Sequence, residues 1–372
     1  MNHRRITVLV GLGLSVALLW WALRDVSFAE LWDHLRRANA WLLLAMTAAA
    51  TFTFVLRVFR WQVLLKPTIT GLSFRSRFAA VCIGFMANNL LPARLGEFAR
   101  AYSLSRIEPI GMSAAFASLV VERLLDALVL VAFLIPALLL GVGASAGPVS
   151  LMQIFTAAIL VVSVGLLLLG TLVRFPDVFL RLAERWTHRL MTQRSADKIT
   201  GMLTSFIAGL GALRHAHVFA QAIAWSLVVW LWNGFSFYLG FLAFGIRGPG
   251  IAGALLLQSL IGFAVSIPSS PGFFGPFEAA ARVGLGIYSI GPARIISFAA
   301  GYHILSFIPV TVIGLWYMHR LGISRDELGH SEEFVEAAVD QVGSNGAEDS
   351  DDPPTGDDPP MGDGPPGTPP AS

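Results

Sequence analysis

Long apolar stretches alternate with short clusters of polar and charged residues along most of the chain. Six of these stretches reach or approach the roughly 20 residues that a helix needs to cross the hydrocarbon core of a bilayer. They lie near residues 6–23, 40–65, 113–142, 151–173, 217–245 and 293–319. The pattern therefore predicts an all-α, polytopic helical membrane protein with about six full spans.

Two further apolar stretches, at 78–91 and 251–267, contain 14 and 17 residues and are short for a complete crossing. Each ends in a break where a proline is followed by a glycine four residues later and then by a glutamate. The two breaks read PARLGE, from Pro92 to Glu97, and PGFFGPFE, from Pro271 to Glu278. The residues predicted to form the breaks are Pro92, Gly96, Pro268, Pro271 and Gly275.

Basic residues predict how these segments are oriented. The excess of Lys and Arg in cytoplasmic loops assigns the N-terminus, the cluster at 57–77, the loop at 174–214 and the end near Arg320 to the cytoplasm. A full crossing at 78–91 would put every later basic loop on the wrong face. The rule is kept if both short stretches begin re-entrant hairpins that enter from opposite faces. This interpretation predicts an inverted repeat with a binding site near the midplane, and the alternative is a chance similarity of two Pro/Gly turns.

Charge divides the chain into a basic body and an acidic tail. From Leu321 onward, 13 acidic residues and one basic residue give a formal charge of −12, whereas residues 1–320 carry +14. A basic body suits a protein that lies among anionic lipids. We predict a transmembrane domain at 1–320, a short cytoplasmic extension at 321–341, and a disordered Pro/Gly/Asp-rich tail at 342–372. The simplest interpretation of the tail is a solubilising extension, and whether it binds a partner is left open.

A helical pattern also occurs between the apolar stretches, in FPDVFLRLAERWTHRLMTQRSADK. Its apolar residues are Phe179, Leu182, Trp186 and Leu190, and its basic residues are Arg181, Arg185 and Arg189. The segment is either an amphipathic helix at the cytoplasmic interface or a connector packed on other helices. The first apolar run continues into WWALRD without a cleavage site, which predicts a retained helix rather than a signal peptide.

The hairpin tips are the predicted binding site. Backbone groups that are freed at a break within a membrane need a partner from protein, water or ligand. A helix that begins near Leu95 or Phe273 would present N–H groups and a positive dipole end to an anion. Arg94 adds a guanidinium whose geometry suits a phosphate, although it could instead pair with Glu97 while the turns have only a structural role. The other predicted headgroup-binding residues are Asn88, Asn89, Glu97, Arg100, Ser269, Ser270, Gly272 and Glu278.

A second set of candidates lies in VVERLLDALVLV. Glu122 and Asp126 share a helix face, and Arg123 precedes Asp126 by three residues. Because a charge at the centre of a spanning helix costs about 2.5 to 3.5 kcal/mol, these residues should line a polar path and pair with Arg94 or Arg100. The alternative is a position at the cytoplasmic headgroup level.

Three more ionisable residues lie within predicted spans. His303 is added to the polar pathway, either as a proton relay or as a histidine that is hydrogen-bonded to a neighbouring helix. Arg57 and Arg60 are expected to reach the membrane interface rather than to bind a substrate.

Several kinds of chemistry have no signature in the sequence. The single cysteine, Cys82, excludes an intrachain disulfide, and the GxxxxGK[ST], HExxH and GxSxG motifs are missing. We therefore predict a protein that is not an enzyme and has no cofactor, no metal site and no nucleic-acid partner. A membrane enzyme acting through Glu97 or Glu278 is the least favoured reading, since neither residue has a plausible catalytic partner in the sequence.

Three motifs carry a family resemblance: NNLLPARLGE, VVERLLD and IPSSPGFFGPFE. In this order and separation they resemble the lysylphosphatidylglycerol synthase transmembrane family, also called flippase-like membrane proteins, over about residues 5–320. In the family's best-known members this region is fused to a soluble domain that attaches lysine to phosphatidylglycerol, and it moves the product across the cytoplasmic membrane. Nothing after Arg320 resembles that domain, and the usual Pro-Gly-Arg is Pro92-Ala93-Arg94.

The resemblance implies a flippase-like protein of the bacterial cytoplasmic membrane with both termini in the cytoplasm. It would translocate a phospholipid or another lipid with an anionic or phosphate-bearing headgroup, and its partners would be membrane lipids. The alternative is a membrane accessory or scaffold for a separately encoded lipid-linked glycosyl- or aminoacyl-transferase. Association of two copies as a homodimer is left open.

Overall fold

The computed structural model describes residues 3–91, 95–139, 175–190, 215–267, 269–324 and 327–328, with scattered positions between 153 and 210. Apart from turns and bends, these ranges are helical. The helices are α1 (His3–Leu23), α2 (Phe28–Arg37), α3 (Ala40–Leu65), α4 (Phe74–Leu90), α5 (Gly96–Ile107), α6 (Met112–Leu139), α7 (Pro176–Leu190), α8 (Ala216–Ala243), α9 (Gly250–Ala264), α10 (Pro276–Gly286) and α11 (Pro292–Arg320), with a 3-10 turn at Pro271–Phe273.

Among the described residues, three helices, α3, α8 and α11, are long and apolar enough to cross a membrane. The end of α1 passes the same test only together with α2, from which it is separated by a bend of 80°. Helix α6 has 28 residues, or about 42 Å at a rise of about 1.5 Å per residue, but it carries the charges of VVERLLD. The chain is thus a helical membrane protein. The count of six spans stays a prediction, since most of 151–173 and the tail beyond 328 lie outside the described residues.

Polar residues between the apolar runs start several helices. Ser27 accepts a hydrogen bond from the Glu30 amide at 3.2 Å before α2, and Asn39 accepts one from the Leu42 amide at 3.1 Å before α3. Such N-caps satisfy amides that have no partner within the helix. Helix α2 was not anticipated from the sequence, whereas α7 confirms the helix that was predicted between the apolar stretches.

Both short apolar stretches fold back as helical hairpins. Helices α4 and α5 have 17 and 12 residues, and α9 and α10 have 15 and 11, so each arm is shorter than a span. In the first hairpin, Gly84 and Gly96 bring the arms into backbone contact, and a Cβ on Gly96 would lie 2.3 Å from the Gly84 oxygen. In the second, Gly284 packs against Leu257. Of the predicted breaks, Gly96 is the first residue of α5, and Pro271 and Gly275 lie between α9 and α10, whereas Pro92 and Pro268 lie outside the described residues.

Helices α3 and α8 pack along each other at the centre, in opposite directions. The start of α3 meets the end of α8, where the Asn39 amide donates to the Ala243 oxygen at 2.9 Å. Further along, Phe59 stacks on Trp225 with ring centres 5.6 Å apart. One buried apolar core is built mainly from α3 to α6, and a second mainly from α8 to α11. The two cores flank the central pair, with α4 packed on α11 and α9 on α6.

Replacing Gly96 by alanine should destabilise the first hairpin. The new Cβ would lie 2.3 Å from both the Gly84 oxygen and Asn88 Cγ, and overpacking of this kind costs about 1 to 3 kcal/mol. We expect a lower midpoint of thermal unfolding in detergent. The control is Gly13→Ala, since no atom lies within 4 Å of a Cβ at that helical position and alanine is the better helix former. Equal midpoints for the two variants would contradict the close contact.

Candidate functional site

Seven charged side chains from α3, α5 and α6 meet inside the protein, and they are called the charged cluster below. Its members are Arg57, Arg60, Glu97, Arg100, Glu122, Arg123 and Asp126. Arg60 and Glu122 are fully buried, whereas 38% of the Arg123 side chain is exposed. Glu122 and Asp126 are therefore buried within the protein, whereas their part in a polar path stays a prediction. The expectation that Arg57 and Arg60 reach the interface is wrong, because both side chains are buried against α6 and α8.

The carboxylate of Glu122 is shared by three of the four arginines in the charged cluster. It lies 2.8 Å from Arg60 Nη2, 2.8 Å from Arg100 Nη1 and 2.8 Å from Arg123 Nη2. A second bond from Arg100 Nη2, at 3.2 Å, makes that contact bidentate. The predicted pairing of the VVERLLD charges with Arg100 is thus confirmed, and it ties the return arm α5 to α6.

Asp126, one turn further along α6, connects the cluster to α3 and α8. It accepts a hydrogen bond from Arg60, and Trp230 Nε1 donates to it at 2.6 Å. Arg123 Nη2 lies 3.1 Å from the other carboxylate oxygen. Glu97 is at the edge of the cluster, with its oxygen 4.0 Å from Arg123 Nη1.

Arg57 belongs to the charged cluster, but two of its nitrogen donors form no hydrogen bond there. Only 7% of the residue is exposed, yet Nε and Nη1 have no hydrogen-bond partner in the described part of the chain. Nη1 lies 3.9 Å from Asp126 Oδ2, beyond hydrogen-bond distance. The guanidinium carbon lies 5.1 Å from the ring centre of Phe85 and 5.3 Å from that of Trp230. Two aromatic rings therefore hold the cation while these donors remain unused.

Two neighbouring cavities, of about 510 and 220 Å³, share Arg57 in their walls. The larger is lined by residues of both hairpins, Asn88 and Glu97 in the first and Ser266 and Phe273 near the second break. It also contacts Arg123 and Asp126. The smaller cavity is lined by other predicted site residues, Asn89 and His303. The volume of the larger cavity is typical of ligand sites, whereas the smaller cavity is below the usual range.

Asparagines of the first hairpin make contacts within the protein. The Gly96 amide, at the start of α5, donates to Asn88 Oδ1 at 2.8 Å, so the helix start that was expected to face an anion is capped there. Asn89 Nδ2 donates to Thr311 Oγ1 at 2.8 Å and joins the hairpin to α11. Arg94, the predicted phosphate ligand, lies outside the described residues.

The second hairpin is held by a histidine and a glutamate. His303 Nε2 donates to the Gly272 oxygen at 2.8 Å, while Nδ1 lies at hydrogen-bond distance, 2.8 Å, from Glu278 Oε1. The Gly275 amide donates to Glu278 Oε2 at 2.7 Å. Helix α10 begins three residues later than predicted, because Gly272 and Gly275 have φ values of 71° and 100° that interrupt the helix.

The two serines of this break have different surroundings. The Ser270 amide donates to Ser15 Oγ at 2.8 Å, which joins the break to α1. Ser270 Oγ donates to the Phe274 oxygen at 3.0 Å. Ser269 Oγ is buried and has no hydrogen-bond partner among the residues described.

Comparison with known protein families shows which family the chain belongs to. The model of the lysylphosphatidylglycerol synthase TM region matches residues 8–314, which include α2 to α10 and all of the charged cluster. The chain belongs to this family.

Relatives of this family member are named as membrane proteins or as a transferase. A UPF0104 membrane protein of Methanothermobacter thermautotrophicus is 24% identical over 88% of this chain and 98% of the relative. Glycosyltransferase AglD of Haloferax volcanii is 25% identical over 86% of this chain but only 55% of the relative. A UPF0104 membrane protein of Pyrococcus horikoshii is 24% identical over 82% of this chain and 94% of the relative. No solved structure matches the chain.

Within this family member, Arg57, Arg60 and Trp230 are candidate site residues that were not predicted from the sequence. A signal for the two arginines was present, since both fall within the apolar run at 40–65, and charges inside a span mark functional sites by default. Their spacing of three residues also puts them on one face of α3. Trp230 had no such signal, because an indole is as common in lipid-facing positions as in buried ones.

Replacing Glu122 by glutamine should strongly destabilise the protein. Arg60 and Arg100 would lose their shared anion in the interior, and breaking a buried ion pair costs about 3 to 5 kcal/mol. The control is Asp33→Asn, which removes an exposed pair with Arg37 worth about 0 to 1 kcal/mol. The measurement is thermal unfolding in detergent. Similar shifts for the two variants would refute the role given to Glu122.

Proposed function

We propose that this chain translocates a lipid with an anionic or phosphate-bearing headgroup across the cytoplasmic membrane. The observation that carries the proposal is the cavity of about 510 Å³ between the two hairpins, which is lined by Arg57, Arg123 and Asp126. A polar headgroup that crosses a bilayer needs a path in which its charge is compensated, since hydrocarbon offers none. The acyl chains would stay in the surrounding lipid.

The proposed inverted repeat gives this path a mechanical basis. It relates α3, α4, α5 and α6 to α8, α9, α10 and α11, in that order. Each contact between two helices then has an equivalent contact between their two counterparts. Helix α4 packs on α11 as α9 packs on α6, while α3 packs on α8 in the opposite direction. Repeats of this kind, with broken helices at the midplane, support alternating access in transporters. Re-entrant hairpins entering from opposite faces, with both termini in the cytoplasm, are part of the same proposal.

Transport is proposed rather than catalysis. The acidic residues beside the larger cavity, Glu97 and Asp126, are paired with arginines, and Glu278 caps α10 and contacts His303. An acid–base catalyst would need a carboxylate free to exchange a proton with a substrate. The predicted binding role of Arg94 at the first break remains part of the proposal.

The second candidate function is that of a membrane accessory to a transferase. It is favoured by the Haloferax volcanii relative, which is named a glycosyltransferase and of which this chain covers 55%. A separately encoded transferase could act together with a chain of this length. Co-purification of a soluble transferase, without lipid movement in its absence, would favour this candidate.

A lipid-scrambling assay in proteoliposomes tests the first proposal. Fluorescent phosphatidylglycerol in both leaflets is bleached from outside with dithionite, and transport makes the inner pool accessible. Arg123 lies in the wall of the cavity, and we expect Arg123→Gln to slow lipid movement about tenfold. A change of this size corresponds to the free energy of one hydrogen bond to a charged group. The control Arg36→Gln, on the exposed part of α2, should move lipid at the wild-type rate.

Two results would contradict the proposal. Wild-type protein that moves no lipid, whether phosphatidylglycerol, phosphatidylethanolamine or a polyprenyl phosphate, would exclude the transport class. Equal rates for wild type and Arg123→Gln would exclude the larger cavity as the path.

A further inference from the structure

We propose that Arg57 is the anion-binding residue of the cavities and that the site takes one phosphodiester monoanion, the charged group of a diacyl glycerophospholipid. This inference deepens the proposed function and rests on it for the lipid nature of the ligand. It follows from the state of the Arg57 donors, the cavity around them and the charge of the cluster.

Arg57 is held in place without its donors being used. Phe85 and Trp230 lie against the guanidinium at 5.1 and 5.3 Å, which fixes the side chain through cation–π contacts. Nε and Nη1 are buried and have no hydrogen-bond partner in the described ranges. Buried N–H groups of a cation strongly favour an acceptor, and phosphate oxygens match the guanidinium fork. The two rings thus hold Arg57 ready for an acceptor that no described residue supplies at hydrogen-bond distance from Nε or Nη1.

The space around Arg57 suits a lipid headgroup. The walls of the larger cavity are mainly apolar and include Phe98, Phe116 and Phe263, which can contact glycerol or methylene groups. Asn88 and Ser266 add hydrogen-bonding groups on opposite hairpins. Inorganic phosphate alone would leave most of this apolar wall without a contact.

The charge of the cluster selects a monoanion. Its four arginines face three carboxylates, Glu97, Glu122 and Asp126, so that the described cluster carries a formal excess of one positive charge. A phosphodiester carries one negative charge and would neutralise the excess. A phosphomonoester, with up to two charges near neutral pH, would leave an uncompensated negative charge in a low-dielectric site.

Binding of short-chain lipids to the full-length protein in an uncharged detergent tests the inference. Calorimetric titration at pH 8 would compare dihexanoyl phosphatidylglycerol, dihexanoyl phosphatidic acid, dihexanoylglycerol and glycerophosphoglycerol. We expect phosphatidylglycerol to bind at least about tenfold more tightly than each of the others, since each lacks the monoanion or the acyl chains.

Three variants assign this binding to Arg57. Arg57→Gln should weaken phosphatidylglycerol binding by at least about tenfold, and Arg57→Lys, which keeps the charge but loses the fork, should have an intermediate effect. The control Arg37→Gln, an exposed arginine, should bind as wild type does. The unfolding midpoint of Arg57→Gln should not fall, because the substitution removes unsatisfied buried donors.

Four outcomes would overturn the inference. Unchanged binding by Arg57→Gln would remove the residue from the site, and loss of binding together with a lower unfolding midpoint would give it a structural role. Tighter binding of phosphatidic acid would refute the selection of a monoanion. Equal affinity for glycerophosphoglycerol would indicate a soluble phosphodiester rather than a lipid. Since binding is measured without a bilayer, a protein that binds but does not scramble lipids would contradict only the transport proposal.

Discussion

The shared carboxylate of Glu122 is the constraint on which the first half of the molecule depends. It draws Arg60 from α3, Arg100 from α5 and Arg123 from its own helix into one buried group, at distances of 2.8 Å. In a low-dielectric interior such charges are tolerated only when each has partners in good geometry. Helix α5 must therefore lie close to α6, and the contact between Gly84 and Gly96 also allows its backbone to approach that of α4. These contacts together bring the end of the first hairpin to the wall of the larger cavity.

The first half of the molecule, α3–α6, and the second half, α8–α11, join the return arm of the hairpin to the following long helix through different side chains. In the first half, the return arm is tied to the following long helix by Arg100 and Glu122, and in the second by Glu278 and His303. The second tie is self-contained, since both histidine nitrogens and both glutamate oxygens have partners within the hairpin or α11. The first belongs to a cluster with an excess of positive charge. An anion between the hairpins would therefore meet arginines on one side and mostly aromatic and neutral groups on the other.

The sequence predicts those features that follow from local pattern. Continuous apolar runs predicted α3, α8 and α11, because lipid requires an unbroken apolar length, and the short runs predicted both hairpins. Pairing of Glu122 with Arg100 was also anticipated. The burial of Arg57 and Arg60 was not, because their position within an apolar run marks them as candidates but does not decide whether they face the interface or the interior. The difference depends on Asp126 and Trp230, which are distant in the sequence.

The structure also changes which groups are available to recognise an anion. Broken helices in membrane proteins often use free N–H groups at the break for this purpose, and the sequence suggested the same here. However, the Gly96 amide is bound by Asn88 and the Gly275 amide by Glu278, each from its own hairpin. An anion at the second break would have to displace a carboxylate that also binds His303. Among the described residues, arginine donors without a hydrogen-bond partner remain next to the cavities at Arg57 Nε and Nη1, where two aromatic rings hold the guanidinium, and at Arg123 Nε. The hairpin caps therefore stabilise the breaks, and an anion in the cavities would meet arginine side chains of α3 and α6 rather than the N-termini of broken helices.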